Sequence, residues 1–308
     1  MTAAVRLGLV GCGRIAERGY LPAARGLPQL EIVAVADPDR ERTARLLAGT
    51  DIASFGGVEE LVAAGSVEAL VIAVPADRHL AVARIAAAAG LPSLVEKPPA
   101  CDLAEALELA ALEPAPAIGF NRRFLQGIEL MPSIPADSWL ELELELCFQR
   151  RAWGAHAGHD EALLDAGTHL IDLAVFLTGS TPIAVRDAVV EPGCASMELE
   201  LGRGRARIEC ATDRGYAERV EVRDRGGRTL AATATGRLRA RTARLRGAGD
   251  PLVGSLRRQL DAFAAASRGQ SAPVLAGAAD GVAAMAAVEA ARRSAELNGA
   301  EVTVEGPA

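Results

Sequence analysis

The feature that most restricts the fold lies close to the start of the chain. The apolar run VRLGLV (5–10) is followed at once by Gly11-Cys12-Gly13-Arg14-Ile15-Ala16 and then by residues at helical spacing. A G-x-G-x-x-A turn between a strand and a helix marks a parallel βαβ unit that holds a dinucleotide. Gly11 permits the tight turn, Gly13 lets the backbone approach a pyrophosphate, and the small Ala16 lets helix and strand pack closely. The helix N-terminus beginning near Arg14 and Ile15 adds N–H donors and a partial positive charge. A plain glycine turn is the competing reading, and the strand before it and the helix after it argue against that.

The surrounding pattern agrees with such a unit. Strands are expected at 5–10, 31–36, 69–74, 93–96 and 116–120, alternating with helices at 14–25, 39–48, 57–64, 77–89 and 102–112. Asp77 and Asp102 stand where N-caps belong, and Gly90 where a C-cap does. Residues 1–120 therefore read as an α/β Rossmann domain, a doubly wound parallel sheet.

After Phe120 the period changes from that of a helix-covered sheet to strict alternation. In WLELELELCF (139–148), Leu140, Leu142, Leu144 and Leu146 share one face while Glu141, Glu143 and Glu145 share the other. That is a strand with one wet side. SMELEL, RARIECA and RVEVRD repeat it, so residues 121–308 read as an α+β domain built on a mostly antiparallel sheet. A helical segment at 161–177 interrupts the strands. Two more helices, at about 253–268 and 277–297, and an edge strand at 301–304 complete the chain.

Composition narrows the function classes. The 308 residues carry a formal charge of −7, half of them are apolar, and five cysteines occur without CxxC spacing. Neither a nucleic-acid nor a membrane binder is expected from that balance, nor a disulfide framework. The start MTAAVRLGLVG has no signal-peptide features, so a cytoplasmic location is expected. Residues 203–246 hold 13 arginines against five carboxylates. Cross-strand ion pairs with the glutamates of 139–148 are the simplest account, with an oligomer contact or an anionic ligand as alternatives.

Within this frame four elements carry chemistry. The first is the glycine turn. The second is Asp37, at the end of EIVAVA, where a dinucleotide-binding fold places the carboxylate that takes the ribose hydroxyls. Asp37 would repel a 2′-phosphate, so the expected cofactor is NAD, with NADP disfavoured unless Arg40 or Arg42 turns toward the phosphate. The third is Glu96-Lys97-Pro98 at the carboxyl end of a strand, facing the crevice where ligands bind. Of 33 basic residues only Lys97 is a lysine, so a compact amine stands at the one position where the Arg bias stops. The fourth is Asp165-Ala166-Gly167-Thr168-His169, in which Asp165 and His169 lie one helical turn apart. The pair reads either as a tuned proton acceptor or as a structural His–carboxylate contact, and Asp172 either orients His169 or braces the helix.

Taken in order, G-x-G-x-x-A, Asp37, AVPADRH (73–79), EKP (96–98), GFNRRF (119–124) and DAGTHLIDL (165–173) resemble the glucose-fructose oxidoreductase/inositol dehydrogenase/MocA family over nearly the whole chain. The resemblance implies a Rossmann domain followed by a domain with a large open sheet. It implies that Lys97, Asp165 and His169 are catalytic and line the nicotinamide and substrate site, with Arg123 beside them. Pro75, His79 and Glu96 would support the cofactor, and Trp153 would offer a stacking face to a sugar ring or a core contact.

The activity implied is NAD-dependent hydride transfer with a secondary alcohol of a sugar, cyclitol or sugar derivative. Two alternatives are a redox-neutral lyase or glycosidase that retains NAD, and a non-catalytic sensor on the same fold. A homo-oligomer, dimer or tetramer, is also implied. Family members often carry a glycine-rich turn before the DxGxH helix; here His159-Asp160-Glu161 stands in that place. Read as metal ligands, His156, His159 and Asp160 lack further donors at metal spacing, so no metal is expected.

Overall fold

In the first half of the chain, strands β1 (Val5–Val10), β2 (Leu30–Ala36), β3 (Ala53–Phe55), β4 (Ala69–Ile72), β5 (Ser93–Val95) and β6 (Ala117–Ile118) pair in parallel. The coordinates are a computed structural model, which describes residues 3–128, 138–153, 161–236 and 250–306. The strand order is β3-β2-β1-β4-β5-β6, the order of dinucleotide-binding sheets, whose topological switch point lies between β1 and β4. Every residue of β4 and β5 is buried, as expected of strands covered on both faces.

The connecting helices are α1 (Leu21–Ala24), α2 (Arg40–Leu46), α3 (Val58–Ala63), α4 (His79–Ala88) and α5 (Leu103–Ala110). The helix expected at 14–25 is π-helical over Ala16–Tyr20 before it becomes α1. Asp102 caps α5 by accepting from the Glu105 N–H at 2.9 Å, and Gly90 has the positive φ of a C-cap. Asp77 does not cap: it sits inside a 3-10 turn, Ala76–Arg78, that precedes α4 without a side-chain cap bond.

The chain folds into two compact units, one made of Met1–Phe124 with Pro251–Ala279 and the other of Leu125–Asp250 with Asp280–Ala308. The division at residue 120 read from the sequence therefore differs in its treatment of α7 (Pro251–Ala266). Packing explains why. Leu256, Leu260, Phe263 and Ala264 of α7 share one buried cluster with Ala16, Tyr20 and Ala23, and Asn121 Nδ2 donates to Ser255 Oγ at 3.0 Å. A two-residue strand, β13 (Ala276–Gly277), then joins the edge of this sheet antiparallel to β6.

The second unit holds a sheet of strands β7 (Leu140–Gln149), β8 (Pro182–Glu191), β9 (Cys194–Leu201), β10 (Gly204–Ala211), β11 (Asp213–Asp224), β12 (Thr229–Gly236) and β14 (Val302–Thr303). Its order is β12-β11-β7-β10-β9-β8-β14, antiparallel throughout except for the β7/β10 pair. The alternation seen in the sequence sorts the two faces. Leu140, Leu142, Leu144 and Leu146 are buried together with Ala206, Ile208, Met197, Leu199, Val220 and Val222. Helix α6 (Thr168–Thr178) packs on β7, β9 and β10. The last helix, α8 (Ala278–Glu296), is tied to the second unit by Arg292, whose Nε donates to Glu161 Oε1 at 3.0 Å.

The opposite face is a lattice of charges in register. Glu200, Arg205, Glu141 and Arg223 stand side by side on β9, β10, β7 and β11. Arg205 pairs with Glu141 at 2.7 Å, Arg223 with Glu143 at 3.1 Å, and Arg219 with Glu143 at 3.4 Å. The Arg-rich strands are thus matched by glutamates on the same face. Because Glu141 and Arg205 are partly solvated, Glu141→Gln is expected to cost only about 0–1 kcal/mol. Thermal unfolding checks that value, and gel-filtration elution, expected unchanged, checks whether this pair takes part in assembly.

Candidate active site

At the carboxyl edge of the first sheet, hydrogen bonds beyond the strand ends hold the exits of neighbouring strands together. Gly11 N–H donates to Ala36 O, Ala73 N–H to Val10 O, Glu96 N–H to Ile72 O and Gly119 N–H to Val95 O, at 2.7–2.9 Å. The residues singled out in the sequence after β1, β2, β4 and β5 are therefore carried on one edge of one unit.

Gly11 has φ +96°, and a Cβ there would lie 2.5 Å from Ala73 O, so only glycine fits both the turn and the contact with the β4 exit. Gly13 is different: a Cβ added there would meet nothing within 4 Å. The space beside its backbone is open, as the approach of a pyrophosphate requires. Arg14 is exposed and Ile15 half-buried at the start of the π-helical stretch.

Asp37 is 7% exposed and its carboxylate is fixed by backbone donors, Cys12 N–H to Oδ2 at 2.7 Å and Asp39 N–H to Oδ1 at 2.8 Å. Arg42 lies 3.9 Å from the Asp37 Oδ2 and 3.0 Å from Asp39 Oδ2. The turn, the open space and the oriented carboxylate fit the adenosine and pyrophosphate portions of NAD. Two unit charges about 4 Å apart at an effective dielectric near 20 interact by roughly 4 kcal/mol, so Asp37 repels a 2′-phosphate, and Arg42, already paired with Asp37 and Asp39, is the nearby opposite charge. Titration calorimetry is expected to show NAD(H) binding more tightly than NADP(H), with Asp37→Ser narrowing the gap.

Cys12, inside the turn, is buried. Burial pushes its thiol up to about 11, and Cys210, also buried, is pushed up to about 12. All five cysteines are free.

The β4 and β5 exits are joined by His79. This buried ring, at the start of α4, places Nε2 2.9 Å from Val74 O and Nδ1 3.0 Å from Pro98 O. Burial lowers its pKa and favours neutral imidazole, while the carbonyls pull the other way. His79 thus spans the turn after Val74, where Pro75 is exposed, and the turn after Lys97. Glu96 is buried, accepts the Tyr20 O–H at 2.7 Å through Oε1, and accepts the Lys97 N–H at 2.9 Å through Oε2. Lys97 is half-buried. Arg123, 3% exposed, follows β6 in the 3-10 turn Asn121–Phe124.

In the second unit Asp165 lies in a π-helical turn, Leu163–Gly167, that runs into α6, and His169 is buried in the first turn of α6. Gly167 permits close packing: a Cβ there would lie 2.8 Å from Leu163 Cδ1 and 3.5 Å from Cys210 Sγ. Arg150, at the end of β7, donates from Nη1 to Asp165 Oδ2 at 2.6 Å. Asp172 is 1% exposed inside the helix. The side chain of Trp153 and the whole of His156, His159 and Asp160 lie outside the described residues. Glu161, from the same turn, is engaged by Arg292. Among the described residues no cluster of three or more His, Cys, Asp or Glu could hold a metal, and no helix is long and apolar enough to cross a membrane.

Sequence reasoning missed two of these side chains, Tyr20 and Arg150. Neither belongs to a motif. Tyr20, one of only two tyrosines, offered at most the signal of a polar aromatic inside a helix pattern.

Comparison with known proteins fits this geometry. Residues 5–115 match the family model described as oxidoreductase family, NAD-binding Rossmann fold. The rhizopine catabolism protein MocA of Rhizobium meliloti is 32% identical over 96% of this chain and 97% of its own. The UDP-N-acetylglucosamine 3-dehydrogenase of Acidithiobacillus ferrooxidans is 30% identical over 59% of this chain and 57% of its own. Among solved structures, the myo-inositol dehydrogenase of Lactobacillus casei in complex with NAD(H) and myo-inositol superposes with a TM-score of 0.77 at 16% identity, covering 99% of this chain and 98% of its own. With a full-length relative above 30% identity and the expected order of strands and motifs, the chain belongs to the glucose-fructose oxidoreductase/inositol dehydrogenase/MocA family of NAD-binding oxidoreductases.

Proposed function

We propose that this chain catalyses NAD-dependent interconversion of a secondary alcohol and a ketone on a sugar, cyclitol or sugar derivative. The observation that carries the reading is Lys97: the only lysine leaves the carboxyl end of β5, beside the edge that bears the glycine turn and Asp37. Names of relatives support the substrate class, since they include dehydrogenases of inositol and of UDP-N-acetylglucosamine. Bound NAD supplies the hydride acceptor.

The chain's own residues do the rest. Lys97 holds the reacting hydroxyl oxygen through its ammonium and offsets negative charge as it develops there. His169 takes the hydroxyl proton, and Asp165, oriented by Arg150, supports the imidazolium that forms. Arg123 is assigned to substrate contact on the family resemblance, and Trp153 on the ability of an indole face to stack on a sugar ring. The resemblance also makes the protein a homo-oligomer in this proposal.

A panel of sugars, inositols and sugar nucleotides tests it, read by thermal shift and by NADH formation. Ligands at a hundredfold excess over their dissociation constant stabilise the fold by roughly 2.7 kcal/mol, so binding shows even without turnover. At least one compound is expected both to stabilise the protein and to reduce NAD; stabilisation by many with NADH from none would contradict the proposal.

A further inference from the structure

Tyr20 ends the π-helical stretch that begins with the cofactor turn and lies wholly inside the core of the first unit, 0% exposed. A phenylalanine would fill that core without needing a hydrogen-bond partner. The hydroxyl that distinguishes tyrosine has one. Its O–H donates to Glu96 Oε1 at 2.7 Å, and the other oxygen of the same carboxylate accepts the Lys97 N–H at 2.9 Å. Two hydrogen bonds thus tie the Lys97 backbone to the helix that follows Gly11 and Gly13. Their length and burial leave the carboxylate little freedom to turn. On the far side of the same turn, His79 Nδ1 lies 3.0 Å from Pro98 O.

We propose that Tyr20 is a positioning residue for the reaction: by holding Glu96 it fixes the exit of β5, and hence Lys97, relative to the cofactor turn. The idea rests on the role given to Lys97 above. Removing the hydroxyl takes away one donor from the buried Glu96 carboxylate and so loosens the group that accepts the Lys97 N–H. Small misplacements of a reacting group are costly, which is why such a brace matters.

The single lysine makes a direct test possible without any substrate. Reductive methylation with ¹³C-formaldehyde gives one dimethyl-lysine NMR signal, from Lys97, apart from the α-amine. In the NAD-bound protein, Tyr20→Phe is expected to shift and broaden or split that signal. Glu96→Gln, whose single amide oxygen can accept from the Tyr20 O–H or the Lys97 N–H but not from both, is expected to disturb it as well and serves if Tyr20→Phe folds poorly. Leu61→Ala, a cavity in the same unit far from the motif in sequence, controls for stability: it should lower Tm at least as much and leave the signal unchanged.

With a substrate from the panel, Tyr20→Phe should lower kcat by about 10- to 100-fold, with KM and NAD affinity within about twofold of wild type. A signal superimposable on wild type in Tyr20→Phe, or a turnover loss matched by Leu61→Ala at equal Tm, overturns the proposal. Should Lys97→Arg prove catalytically silent while Tyr20→Phe still disturbs the signal, the fault lies with the role of Lys97 and the brace itself stands.

Discussion

Lys97→Arg and Lys97→Met are both expected to fold and to bind NAD, yet to lose on the order of 10²–10³-fold in turnover, equivalent to ~3–4 kcal/mol of transition-state stabilisation. If the residue served only as surface charge, the arginine variant would be nearly silent in a chain whose other 32 basic residues are all Arg. The surroundings argue otherwise. The Lys97 N–H is held by Glu96, and His79 Nδ1 lies 3.0 Å from Pro98 O, one residue on. A guanidinium attached at that point is longer and planar and cannot put its charge where a compact ammonium does. Steady-state kinetics with the substrate from the panel, alongside NAD titration, separates lost chemistry from lost binding.

His169→Asn should lower turnover by about 10²-fold or more and leave NAD affinity nearly intact, because the cofactor turn and Asp37 belong to the other unit. A proton acceptor must be unprotonated to work. Oxidation by the wild type should therefore rise with pH as the imidazole loses its proton. The variant should lose that step. An unchanged pH profile in His169→Asn would move the proton acceptor elsewhere, with Lys97 the next candidate. The ion pair of Asp165 with Arg150 bears on this result, since the carboxylate is anchored at 2.6 Å independently of the histidine.

How far the sequence reached depended on whether a residue's partner was local. β1, β2, β4 and β5 announced themselves as apolar runs, and β7 by its alternation of leucine and glutamate. The short edge strand β3, ASF, has no such run, and β13 has only two residues, so neither stands out from its surroundings. In β8, PIAVRDAVVE, the alternation breaks where Asp187 adopts φ +52° and the register with β9 slips between Arg186 and Val189. A period-2 pattern cannot survive that bulge. β12, built of Thr and Ala, is too small-sided to stand out. The π-helical turns at Ala16–Tyr20 and Leu163–Gly167 left no mark in a pattern read at 3.6 residues per turn.

The glycine turn, Asp37 and EKP were legible because each follows its strand directly. Tyr20 and Arg150 were not, since their partners Glu96 and Asp165 are 76 and 15 residues away and nothing local marks the pairing. The return of α7 to the first unit, after six of the second sheet's seven strands in sequence, is likewise a tertiary fact.

The most direct test follows the hydride itself. A substrate from the panel, deuterated at the carbinol carbon, is turned over with NAD, and the cofactor and product are examined by NMR. Transfer of the deuterium to the nicotinamide C4, with one reduced cofactor formed for each ketone, is the predicted result. Conversion of the substrate with the cofactor recovered oxidised and the deuterium returned to the carbinol carbon of the product would contradict it and point to a redox-neutral reaction on the same fold.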